Sequence, residues 1–126
     1  MTTNKKEMYV DGFVLTIPKS KRAAYKKIAK EASQVWLKFG AIDYKECRAD
    51  DMMLDQVTFN FPKMAKAKPD EEVWFSYITY ASKADRKKVN KQVMAFFDEK
   101  YATKKMEMPF DMKRMAVGGF VIEVQG

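Results

Sequence analysis

EVWFSYITY, residues 72–80, runs directly into Ser82 with Asp85 three positions on, and this junction decides the fold. Nine aromatic, β-branched or otherwise strand-compatible residues form a strand, and the serine–aspartate spacing then starts a helix by capping its first backbone N–H groups. That helix is expected to run to about Phe97. Its apolar stripe is Val89, Val93, Phe96 and Phe97, whereas Lys83, Arg86, Lys87, Lys88 and Lys91 take the solvated side. The strand is apolar on both sides, with Val73, Phe75 and Tyr77 against Trp74, Ile78 and Tyr80. A sheet with one face in water alternates apolar with polar, so both faces here need cover.

Working back from this unit, residues 8–17 read as a first strand stopped by Pro18. It too is two-sided, with Tyr9, Phe13 and Leu15 facing one way and Val10 and Val14 the other. Between residues 25 and 39 the apolar positions Tyr25, Ile28, Ala29, Ala32, Val35, Trp36 and Phe39 share one helical arc, and Gly40 ends it. Residues 41–48 alternate Ile42, Tyr44 and Glu46 with Asp43, Lys45 and Cys47, as a strand does. An acidic loop follows, then a short strand extension at Val57, Phe59 and Phe61, then a turn or two of helix opened by Pro62. Beyond residue 97 no period is clear until a short helical turn after Pro109 and a last strand over residues 117–124.

The resulting order, βαββαβ without repeat or linker, predicts a single α+β domain over residues 1–126. Its expected fold is ferredoxin-like, a four-stranded antiparallel sheet with two helices on one face. Two helices cover one face only, so a second copy of the chain is expected on the other, with Trp74 or Ile78 facing it.

The chain has 126 residues, 47% of them hydrophobic and 33% charged, with a formal net charge of +7. Cys47 is its single cysteine and histidine is absent. Intramolecular disulfides, histidine-based nucleophile pairs and most zinc sites are thereby excluded, and no cofactor is expected. The longest apolar run, residues 115–122, contains two glycines and falls far short of the ~20 residues of a membrane span. Residues 1–13, MTTNKKEMYVDGF, lack the apolar stretch of a signal peptide, so a cytoplasmic protein without membrane association is expected. Basic residues concentrate on the two helices, where a solvated face is their ordinary role. Lys19, Lys21 and Arg22 crowd the first turn of the first helix, where ordinary solvation is their expected state and a phosphate or carboxylate site is the alternative. Residues 73–80 lack the glycines and basic lead of an RNA-binding strand, which weighs against nucleic acid as partner.

Four motifs carry a family resemblance: YVDGF at residues 9–13, EC at 46–47, VWFSYITY at 73–80, and above all MPFDMKRMAVGGF at 108–120. In them the chain resembles the YbaA-like bacterial family of unknown function, which belongs with the dimeric α/β-barrel proteins. The resemblance implies a fold and a homodimer, not an activity. Other branches of that superfamily include cofactor-free quinol-type monooxygenases and haem-degrading enzymes, and the absence of histidine speaks against the haem branch.

The candidate pocket residues are Asp11, Glu46, Ser76, Tyr80, Asp111 and Arg114. Asp11 lies on the apolar side of the first strand, where its carboxylate needs a cation. Arg114 is the expected partner, delivered by MPFDMKRM as that segment folds over one end of the sheet, with Asp111 three residues away as a second charge. The pair is either a structural ion pair or part of a site. Glu46 is either a second acid facing the cavity or an exposed strand residue. Cys47 is expected to be a buried small hydrophobe, and the methionines between Met106 and Met115 to be packing rather than metal ligands. The leading expectation is a cavity between sheet and partner that binds or transforms a small apolar or aromatic molecule with one polar group. A non-catalytic binding or stress-related module and a weak basic nucleic-acid binder are the alternatives.

Overall fold

The computed structural model of the chain describes residues 7–104 and 107–126. Its elements are β1 (Tyr9–Pro18), α1 (Arg22–Lys38), β2 (Asp43–Arg48), α2 (Phe61–Ala65), β3 (Glu71–Tyr80), α3 (Lys83–Lys100) and β4 (Ala116–Val121). Short 3₁₀ turns precede α1 (Lys19–Lys21) and β4 (Met112–Arg114). The sheet order is β2-β3-β1-β4 and every pairing is antiparallel. This is the ferredoxin-like α+β arrangement, with α2 as an addition between β2 and β3.

Register fixes which side chains share a face, because residues directly opposite in antiparallel strands point the same way. Asp11 lies opposite Ile78, Phe13 opposite Ser76, Leu15 opposite Trp74, and Glu46 opposite Ser76. These residues form the face beneath α1 and α3. Two core clusters lie there, one of Leu15, Ile17, Tyr25, Ala29 and Trp74, the other of Val35, Ala41, Ile78, Tyr80, Val89 and Val93. The opposite face carries Val10, Val14, Phe75, Tyr77 and Phe120, with Phe75 43% and Phe120 59% exposed. Trp74 and Ile78 are therefore on the helix side, contrary to their expected role facing a second copy. Cys47 is exposed rather than buried, since its position in β2 falls on that open face.

Local chemistry accounts for the element ends. Gly40 ends α1 at φ +119°, a backbone conformation that favours glycine. Ser82 caps α3 by accepting from the Asp85 N–H at 3.1 Å, and α3 runs to Lys100, beyond the expected end near Phe97. Asn60 caps α2, with Pro62 in its first turn. The strand extension expected at Val57 and Phe59 does not form: Gln56 takes a positive φ, and Phe61 already opens α2. Arg22, at the crowded start of α1, meets its carboxylate in Glu72 through two bonds of 2.8 Å.

Candidate functional site

Between the sheet and its own helices lies a cleft of about 610 Å³. It lies beside the sheet under the helices, on the face opposite the one expected to meet a partner. Ile28, Ala29, Ala32 and Trp36 of α1 form one wall, and Met94 and Phe97 of α3 another. Phe13, Leu15 and Ile78 form the apolar part of the floor, and Met108, Phe110, Met112, Met115 and Val117 close one end. The segment before β4 thus folds over the sheet as expected, with Phe110 edge-on to Tyr25 at 5.6 Å between ring centres. Met106 lies outside the described residues. Among the described residues no cluster of three or more histidine, cysteine, aspartate or glutamate side chains could hold a metal.

Besides Glu31, which is held by Lys100 and by the Tyr101 hydroxyl at 2.7 Å, three polar groups stand in this apolar setting. The first is Asp11, 3% exposed, whose Oδ2 accepts from Arg86 Nε at 3.0 Å while Arg86 Nη2 lies 2.8 Å from Oδ1. The Arg86 guanidinium also sits 5.3 Å from the Tyr9 ring centre, and the Tyr9 ring in turn occupies the space above Gly119. A Cβ at Gly119 would fall 2.5 Å from the Tyr9 hydroxyl, so the absent side chain is what admits the ring.

Arg86, not Arg114, is therefore the partner of Asp11. Arg114 instead donates to Glu71 at 2.6 and 2.9 Å and to the Lys66 carbonyl at 2.9 Å. This holds the Glu71 carboxyl down at about 2, chiefly through those hydrogen bonds. Asp111 neither pairs with Arg114 nor lines the cleft. It is exposed, and it caps the 3₁₀ turn by accepting from the Lys113 N–H at 3.0 Å.

The second group is Glu46. Tyr25 of α1 donates to its Oε1 at 2.8 Å and Tyr44 of β2 to its Oε2 at 2.7 Å. Burial raises the Glu46 pKa, and the bonds from Tyr44, Tyr25 and Ser76 oppose that rise without cancelling it. Burial and the adjoining carboxylate push both tyrosine hydroxyls well above their ordinary range, so they remain donors. Ser76, 4% exposed, belongs to the same floor.

The third group is Asn90, whose Oδ1 accepts from Trp36 Nε1 at 3.0 Å and from the Tyr80 hydroxyl at 3.2 Å. Tyr80 is fully buried and does not line the cleft, but its hydroxyl meets Asn90, which does.

Of the six expected residues, the structure brings Asp11, Glu46 and Ser76 into one cleft and leaves Tyr80, Asp111 and Arg114 outside its lining. Tyr25, Arg86 and Asn90 were not anticipated. Their signal was present in helical spacing: extending the α3 stripe backward from Phe97 and Val93 reaches Asn90 and Arg86.

A family model described as a protein of unknown function, DUF1428, matches residues 8–112. The uncharacterised protein YbaA of Escherichia coli K12 is 42% identical over 112 residues, covering 89% of this chain and 93% of that one. The YbaA of Shigella flexneri matches to the same extent. A crystal structure of a dimeric ferredoxin-like protein from an uncultured marine organism has a TM-score of 0.56 at 7% identity, covering 96% of this chain and all of the other. At that identity the likeness concerns the fold alone.

Proposed function

The chain belongs to the DUF1428 family of proteins of unknown function, and we propose from its site that it takes up a small apolar or aromatic molecule bearing one polar group. The observation that carries this reading is the combination of a cleft of about 610 Å³ walled by apolar side chains with a few convergent, hydrogen-bonded polar groups on its floor. Sites for small organic ligands have this composition and size. Uptake of the neutral fluorophore phenylnaphthylamine tests it. Ala32→Trp, which places an indole in the cleft, should abolish the fluorescence gain; unchanged uptake by a folded variant would overturn the reading.

Glu46 favours a second reading in which the bound molecule is also transformed. A carboxyl with a raised pKa at a cleft wall can exchange a proton with a ligand hydroxyl or an acidic C–H. Loss of turnover in Glu46→Gln with ligand uptake retained would separate catalysis from binding. The proposed partner is a second copy of the chain seated on Val10, Val14, Phe75, Tyr77 and Phe120, an apolar set left partly or largely exposed beyond the end of the face where α2 packs and Thr16 and Val73 are buried. The proposed setting is the cytoplasm, where an exposed free thiol such as Cys47 stays reduced.

A further inference from the structure

We infer that the molecule held in the cleft is an amphipathic anion whose apolar body lies between the sheet and the two long helices and whose acidic group lies in a basic groove on the other side of α1. This deepens the proposal above and depends on it. The groove, about 380 Å³, runs between α1 and the edge strand β2. Lys26, Lys30 and Ser33 line it from one face of α1, and Arg48 lines it from β2. Ala29, Tyr44 and Glu46 line both groove and cleft, so the two spaces adjoin beneath α1, where Ala29 presents only a methyl group.

Charge separates the two compartments. Lys26, Lys30 and Arg48 form no ion pair among the described residues, whereas Arg22, Arg86 and Arg114 are each committed to a carboxylate. Among the described residues Glu46 is the one carboxylate lining the groove, set against three cations, and Glu72 nearby is held by Arg22. Among the described residues the only cation lining the cleft is Arg86, already paired with Asp11. An acid entering the cleft thus finds no free positive group there and three in the adjoining groove. Arg48 can grip a carboxylate with two parallel bonds and the lysines can add point charges. A solvated helix face explains Lys27, Lys87 and Lys88, which line neither space. It does not explain why Lys26 and Lys30 share a concavity with Arg48. The ligand class is therefore a single-headed organic acid, aromatic or aliphatic, with a carboxylate or similar anion.

Two fluorophores with one ring system test this on the full chain: anilinonaphthalene sulfonate, which carries an anion, and neutral phenylnaphthylamine. The wild type should bind the anionic probe more tightly. Lys30→Ala should weaken it about threefold and Lys30→Ala with Arg48→Ala about tenfold, the scale of exposed ion pairs, with the neutral probe changed by less than about twofold. Lys87→Ala with Lys88→Ala removes the same charge elsewhere and should leave both probes unaffected. The inference is overturned if the groove variants spare the anionic probe, if they weaken both probes equally, or if the control pair weakens the anionic probe as much. Loss of both probes in Ala32→Trp, or in the half-exposed Met94→Trp should Ala32→Trp not fold, places them in the cleft. Retention of both in a folded cleft variant would overturn the reading of the cleft itself, independently of the groove.

Discussion

Asp11 is the third residue of β1, and among the described residues Arg86 alone balances its charge. Removing that guanidinium strands a desolvated carboxylate, so Arg86→Ala should cost about 3 to 5 kcal/mol in urea unfolding. Asp11→Asn added to it should recover part of the loss, and a cycle without coupling would show the pair to be energetically inert. Glu71 behaves differently because its titration is exposed to experiment. Its carboxyl is held at about 2 in the folded chain against 4.5 for the free group. A lowered folded-state pKa contributes stability above the free value and loses it as pH falls towards the folded one. The melting temperature should therefore drop between pH 4.5 and about pH 2, and Arg114→Ala should flatten that drop while lowering the plateau at neutral pH. The need of Asp11 for a cation was legible in the sequence, because a carboxylate on an apolar strand side has few alternatives. Its partner was not. A solvated arginine and one reaching inward have the same local sequence, and only helix phase distinguishes them.

At the scale of elements, β4 and α3 each depend on a small residue at one position. Ser82→Ala removes the α3 cap and should cost about 1 kcal/mol. Gly119→Ala forces Tyr9 off its place and should cost about 1 to 3 kcal/mol, whereas Gly118→Ala, whose added Cβ would be 3.6 Å from its nearest neighbour, should stay within about 0.5 kcal/mol. Equal costs at the two glycines would refute the packing chain from Gly119 through Tyr9 to Arg86. The strands and both long helices were readable because periodicity and stops agreed along each of them. Residues 49–60 were not, because Val57 and Phe59 have strand-like spacing without a strand partner, and spacing alone does not supply one.

For the molecule as a whole, the two-sided apolar character of β1 and β3 was evident from sequence, but the assignment of faces was not. Parity along β3 separates Trp74 from Phe75, and choosing between them needs the register with the helices above. With the register known, Phe75→Glu should shift a sedimenting dimer towards monomer by placing a charge in an interface of roughly 1,600 Å². Trp74→Glu should instead unfold the subunit, since that ring is 4% exposed within the core. A dimer indifferent to Phe75→Glu would require another interface.

Residues 49–60, the connection from β2 to α2, contribute no side chain to the cleft, while Met52 among them borders the open sheet face beside Phe75. β1, β3 and β4 supply side chains to both faces of the sheet, but this connection touches the open face alone. If the chain assembles and binds as proposed, lengthening or rewriting this connection would alter how subunits meet and leave the cleft lining unchanged.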